Sequence, residues 1–187
     1  MSLKLDPQIY TGAPADAENR IDAEKRAYAF LSSLGIEYLR ADHEHTDTIE
    51  ACAAIEKLLD VHVCKNLFLC NRQATQFYLL MMPGHKSFRT GTVSKILGVS
   101  RLSFASAENM ERLLGLQPGS VTVLGLLNDT GHQVQLVIDA DVLREPYIGC
   151  HPCISTSSLK IRTADLMERI LPALGVTPRI VELPDGE

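Results

Sequence analysis

Two consecutive apolar runs constrain this chain most. Val61-His62-Val63-Cys64-Lys65-Asn66-Leu67-Phe68-Leu69-Cys70 and residues 75 to 82 read as adjacent strands, joined by the polar turn Asn71-Arg72-Gln73. The first run would pass for a buried strand were it not for Lys65. At a side-chain period of two, Val61, Val63, Lys65, Leu67 and Leu69 share one face. A lone ammonium there costs several kcal/mol, on the order of the buried-ion penalty, unless something compensates. A carboxylate partner, a route to solvent or a ligand that wants positive charge would each suffice. The plain alternative is a strand-end lysine reaching back to water.

The rest of the chain is that of an ordinary soluble domain. Its 187 residues fit one domain that needs no disulfide or metal to hold its core. No apolar stretch follows Met1-Ser2-Leu3-Lys4, so no secretory leader is expected. The longest uncharged apolar stretch, around Phe77 to Met82, is too short to span a bilayer. An odd count of five cysteines suits reduced thiols in the cytoplasm. A net charge of -5 argues against a protein that coats nucleic acid non-specifically, though not against local contact with one RNA end.

Punctuation along the chain predicts one α+β domain over 1–187, with residues 1–16 as an N-terminal arm. A helix is expected over about 17 to 34, closed by Gly35, then a strand over 36–41. Asp47 and Glu50 resemble a capping box for a helix reaching Leu59. After the paired strands come a helix near 86–97, a strand at 101–105 and a helix capped by Ser106. Strands at 120–127 and 133–139 flank Asn128-Asp129-Thr130-Gly131, a hairpin signal. A helical turn near 142–144, strands at 147–150 and 157–162 and a helix from Thr163 complete the pattern.

Three segments invite chemistry. Cys150-His151-Pro152-Cys153 has metal or redox spacing. No second ligand pair completes a tetrahedral zinc site, and Ile154 to Ser158 makes a poor helix for lowering a thiol pKa. His151 stands out by itself, because Pro152 fixes the backbone beside it. A loop histidine bonded to a neighbouring carbonyl is its plain reading. Gly125 lies within the apolar run Val121 to Leu127, where glycine marks a bulge, a close ligand approach or room for a bulky neighbour. Amides exposed by such a bulge could bind an oxyanion. The stretch from His85 to Arg101 carries Lys86, Arg89, Lys95 and Arg101 without one acid, so it can seat phosphates or simply form a solvated helix face. There is no Gly-x-Ser-x-Gly elbow, Walker loop or Rossmann fingerprint.

Lys65-Asn66-Leu67-Phe68-Leu69, Arg101 to Ser106, the Val121 to Asp129 segment and His151-Pro152 with Thr156 occur in the order and spacing of one family. The chain resembles the free-standing prolyl-tRNA editing proteins, relatives of the YbaK domain, over roughly residues 20 to 178. The resemblance implies a curved, mixed, largely antiparallel sheet surrounded by helices. It implies hydrolysis of a mischarged aminoacyl-tRNA ester, most directly alanyl-tRNA(Pro), without metal or organic cofactor. It puts the family's lysine on Lys65, its asparagine on Asn66, its histidine on His151 and its glycine loop on Gly125. Two departures are visible. Val123-Leu124 replaces Pro-Phe before the glycine, and His43-Glu44-His45 replaces a His-x-Pro segment.

On this reading Lys65 and the amides about Gly125 are catalytic. Asn66, Val123, Leu124, His151 and Thr156 bind the aminoacyl group, and Lys86, Arg89, Lys95 and Arg101 hold the acceptor end of the tRNA. Prolyl-tRNA synthetase is the implied protein partner, and no membrane is involved. Cysteinyl-tRNA(Pro) or another small aminoacyl-tRNA is an alternative substrate. A non-catalytic sensor of an amino acid or aminoacyl-tRNA, or a metal or thiol protein centred on Cys150 and Cys153, are the alternatives of other classes.

Overall fold

The computed structural model describes residues 5–45 and 49–185. Strand β1 (Tyr10–Thr11) leads through a 3-10 turn, Ala17–Asn19, to helix α1 (Asp22–Ser33). Strand β2 (Tyr38–Asp42) and helix α2 (Ile49–Leu59) precede the central pair, β3 (Lys65–Cys70) and β4 (Phe77–Met82). Then come α3 (Thr90–Leu97), the short β5 (Ser103–Phe104), α4 (Ala107–Leu114) and β6 (Val134–Asp139). Strands β7 (Tyr147–Cys150) and β8 (Ser157–Arg162) are followed by α5 (Thr163–Asp165), a π turn (Leu166–Ile170), α6 (Leu171–Ala173) and β9 (Arg179–Val181). The wide π turn abuts Pro172, which has no N–H to give the helical ladder.

The strands form two sheets. One has the order β5-β3-β4-β6-β9, the other β1-β2-β8-β7. The α+β class, mostly antiparallel with helices around it, is as expected, but two sheets take the place of one. Every residue of β4 is buried, because a strand without a polar position must be covered on both faces. One face, with Phe68, Leu79 and Met81, packs in the main core with Tyr28 and Leu31 of α1 and Leu113 of α4. The other, with Leu69, Leu80 and Met82, packs against Val93 and Leu97 of α3.

Several local expectations need correction. Val123–Asn128 is a 3-10 turn rather than a strand, and β6 pairs in parallel with β4, so no hairpin spans 128–131. The Asp129 carboxylate accepts from the amides of Gln133 and Val134, at 2.9 and 2.7 Å, and so closes the loop before a ladder can start. Helix α3 starts at Thr90 rather than 86. Part of the stretch expected as an arm is paired: Tyr10 and Thr11 lie opposite Arg40 and Leu39 at the edge of β2. The Asp47–Glu50 capping box lies outside the described residues.

The two sheets touch where Val63 bridges Gly149 in parallel, with the Cys64 amide donating to Gly149 O at 3.1 Å and the Gly149 amide to His62 O at 3.1 Å. A Cβ on Gly149 would lie 2.9 Å from the Val63 Cα, so only glycine permits this approach. Gly149→Ala is therefore expected to cost about 1–3 kcal/mol, the range for overpacking a close contact, measured by urea unfolding. Unchanged stability would show that the junction yields without cost.

Candidate functional site

From the Val63–Gly149 bridge onward, β3 enters the five-stranded sheet and β7 the other, so the two chains diverge. Because the bridge is parallel, Lys65 and His151 stand at equivalent steps beyond it, one on each of the diverging segments. Asn66 and Cys150 flank them. The positions that the sequence singled out, 65, 66 and 151, all lie within three residues of this bridge along their segments.

Lys65 is the first residue of β3 and is exposed. Its Nζ donates to the Lys86 carbonyl at 2.9 Å, and among the described residues no carboxylate pairs with it. Lys65 tops the period-two face of β3, whose Leu67 and Leu69 join the α3 core. The strand begins at the lysine, however, and a strand end leaves the ammonium in water. Asn66 points to the other face. Its Nδ2 donates to Cys64 O at 3.2 Å, while its buried Oδ1 has no hydrogen-bond partner among the described residues. A buried amide oxygen left so costs about 1–3 kcal/mol, which a donor on a ligand would recover.

The opposite lip is built from histidines and serines. His151 Nδ1 lies 2.8 Å from Ser157 O. A carbonyl only accepts, so the neutral ring carries its proton on Nδ1 and presents the Nε2 lone pair. By the same logic His43 donates from Nδ1 to Glu44 O at 2.8 Å and accepts the Ser158 hydroxyl at Nε2, 2.9 Å away. The two rings meet edge to face at 6.4 Å, and His45 Nδ1 bonds the Ser155 hydroxyl. The Ser157 hydroxyl donates to Asp42 Oδ1 at 3.0 Å, tying the His151 support to β2. Thr156 contributes its carbonyl, which accepts from the His43 amide at 3.0 Å.

Burial lowers the pKa of both His151 and His43, only partly offset by their bonds to Ser157 and Glu44, so both are neutral at pH 7. Below the ordinary histidine value of 6.5 the unfolded chain takes up protons that these folded rings refuse. Stability is therefore expected to fall as pH drops from 6.5 through their lowered values. Urea midpoints at pH 7.5, 6.5 and 5.5 check this, and the slope is expected to flatten in His43→Gln. A slope unchanged by that substitution would contradict it.

Other candidates land elsewhere. Gly125 sits in the 3-10 turn with its amide donating to Thr122 O at 3.0 Å, and a Cβ there would meet Leu116 Cδ1 at 2.6 Å. Its glycine serves close packing, and that amide is already bonded. Val123 and Leu124 are at most 1% exposed and pack in the main core, so they offer no surface to an incoming group. Lys86 is corrected as well. It is 2% exposed, its ammonium 2.9 Å from Asp139, 2.5 Å from Asp141 and 2.8 Å from Leu183 O, and it has nothing left for a phosphate. Arg89, Lys95 and Arg101 are exposed.

Sequence reasoning missed the roles of Ser155, Ser157 and Ser158, whose dense run after His151-Pro152-Cys153 was the available signal. His43 and His45 had registered only as a departure from a motif. Burial favours the protonated thiol at three cysteines, pushing Cys64 and Cys153 up to about 12 and Cys150 further. Among the described residues no group of three or more His, Cys, Asp or Glu could hold a metal ion, and no helix is long and apolar enough to cross a membrane.

The aminoacyl-tRNA editing domain model matches residues 43–168, which include Lys65, Asn66 and the whole histidine and serine lip. The chain is 30% identical over 163 residues to the prolyl-tRNA editing protein ProX of Acetoanaerobium sticklandii, covering 87% of this chain and 99% of that one. It is also 30% identical to the prolyl-tRNA synthetase associated domain-containing protein 1 of Danio rerio, covering 86% of this chain and 88% of that one. A solved structure of a proposed trans-editing enzyme for prolyl tRNA synthetase superposes with a TM-score of 0.65 at 16% identity, over 89% of this chain and 99% of that chain, and so shares the fold. The chain belongs to the aminoacyl-tRNA editing domain family and is an editing enzyme of that family.

Proposed function

We propose that this protein is a trans-editing hydrolase, its residues 1–187 acting as one domain, that deacylates mischarged tRNA and takes alanyl-tRNA(Pro) as its substrate. The observation that carries this reading is the splay between β3 and β7. A cation and a buried acceptor without a donor sit at the start of β3, and a neutral imidazole sits two residues past Gly149 on the other segment.

Chemically the parts suit an aminoacyl ester. Asn66 Oδ1 accepts from the α-ammonium of the amino acid. Lys65 faces the ester and terminal ribose, where its charge stabilises the oxyanion that forms as water adds to the carbonyl. That role passes to Lys65 because the Gly125 amide is engaged. The ester C–O bond then breaks, and the departing ribose oxygen keeps a proton given up by the water. His151 Nε2 accepts a hydrogen bond from that water or from the neighbouring ribose hydroxyl. An activated ester needs little more than this positioning.

Selection follows from size. A synthetase pocket made for proline gains only about 1–3 kcal/mol against the smaller alanine, so a second site that admits alanine and excludes proline supplies the rest. The relatives' names point to prolyl-tRNA and its synthetase as partners. The setting is the cytoplasm, where free thiols stay reduced.

A panel of alanyl-, cysteinyl- and prolyl-tRNA(Pro) tests the reading. Fast release of alanine with prolyl-tRNA(Pro) spared is the expected result. Preferred release of cysteine would reassign the substrate. Binding of a non-hydrolysable alanyl ester analogue without any turnover would favour a sensor instead.

A further inference from the structure

Phe104 is the most exposed large apolar side chain among the described residues, at 60%. It lies on β5, an edge strand of two exposed residues opposite β3. Its ring stands 5.5 Å from that of Phe88, tilted by 57°. Phe104 pairs with Leu69, and directly paired residues share a face. It therefore faces the same way as Leu67 and Lys65. Four strand steps lead from Leu69 to Lys65, about 13 Å at the usual rise of ~3.3 Å per residue.

The stretch of chain that carries both rings is cationic, although Asp185 lies beside Phe88 and Arg89. Arg89 follows Phe88, Arg101 precedes β5, and no acid occurs from His85 to Ala107 in a chain of net charge -5. An exposed aromatic pair inside a basic stretch matches single-stranded nucleic acid, whose bases stack while its phosphates pair with arginine.

We propose that Phe104 and Phe88 form a stacking platform for unpaired bases of an RNA 3′ tail whose last residue reaches Lys65. Arg89 and Arg101 take the adjoining phosphates. The proposal rests on the editing reading and adds to it the surface that grips the tail. It is sequence-tolerant by nature, since every base has a face to stack.

The test uses an RNA minihelix with an unpaired 3′ tail carrying 2-aminopurine, alongside deacylation of alanyl-tRNA(Pro). Wild-type protein is expected to change the 2-aminopurine fluorescence on binding. Phe104→Ala, a surface change that leaves the melting temperature in place, is expected to remove that change and raise Kd about tenfold, as loss of one stacked base does. Arg101→Gln is expected to lower the salt dependence of Kd while keeping the fluorescence signal. Normal deacylation with the same Kd and signal in Phe104→Ala would overturn the platform and leave the editing reading intact. A wild-type dimer that Phe104→Ala dissociates would assign the face to self-association instead. Absence of both binding and deacylation in the wild type would overturn the two together.

Discussion

Lys65→Ala is expected to lower kcat/KM for alanyl-tRNA(Pro) hydrolysis about 100-fold or more, the scale on which removal of one preorganised oxyanion donor acts. Stability is expected to change by no more than about 0.5 kcal/mol, as for other exposed positions. The reason lies in where the residue stands. Lys65 is exposed at the first position of β3 and makes one described hydrogen bond, to the Lys86 carbonyl. Its removal opens no core and orphans no buried carboxylate. A loss that falls on kcat would match a charge used in the transition state, whereas a loss confined to KM would assign Lys65 to binding alone. Undiminished activity would remove it from the mechanism.

Lys86→Met is expected to have the opposite profile, a large loss of stability of about 3–5 kcal/mol, the cost of breaking a buried ion pair from one side. The Lys86 ammonium and the Asp139 carboxylate are both almost fully buried and 2.9 Å apart, and Asp141 and Leu183 O complete the ammonium's shell. Burial alone would pull the lysine pKa down. The Asp141 and Asp139 carboxylates outweigh it and hold the pKa above the ordinary value of 10.5. A raised folded pKa means that this contribution is complete at neutral pH and fades only as pH rises through the folded value. Methionine would leave the Asp139 charge in the interior without a partner. Adding Asp139→Asn is expected to recover part of the loss, because the orphaned charge goes with it. A loss in Lys86→Met below about 1 kcal/mol would show that water reaches the cluster and screens it.

The two lysines also show what the chain discloses on its own. Strand periodicity put Lys65 on the right face, since period two survives any tertiary context. It could not show that the strand starts there, because ends depend on partners, here Met82 of β4. For Lys86 the sequence displays a charge in a basic stretch and nothing more. The acids that bury it come from β6 and the turn after it, and only the parallel β4–β6 pairing brings them near. The same limit applies to residues 123–128, whose apolar run has strand composition. Leu116 packing over Gly125 and the Asp129 side chain taking two amides turn it into a 3-10 turn, and neither is a local signal. Strands β7 and β8, flanked by Pro146 and the Ser/Thr run, fall where the alternation put them. Of the candidate site, positions 65, 66 and 151 were legible as candidates in the sequence. Its second lip was not, because serines that support a histidine look like any polar loop.

Backbone amide NMR of the protein with an amide-linked alanyl-adenosine, which cannot be hydrolysed, locates the site most directly. The largest shifts are expected at Lys65, Asn66, Cys150 and His151, around the opening where β3 and β7 part. The adjoining cleft of about 320 Å³, lined by His62, Val63, Cys64, Gly84, His85 and Tyr147, provides the internal contrast. Shifts confined to that cleft, with the four residues of the splay unmoved, would contradict the placement of the aminoacyl site between the two sheets.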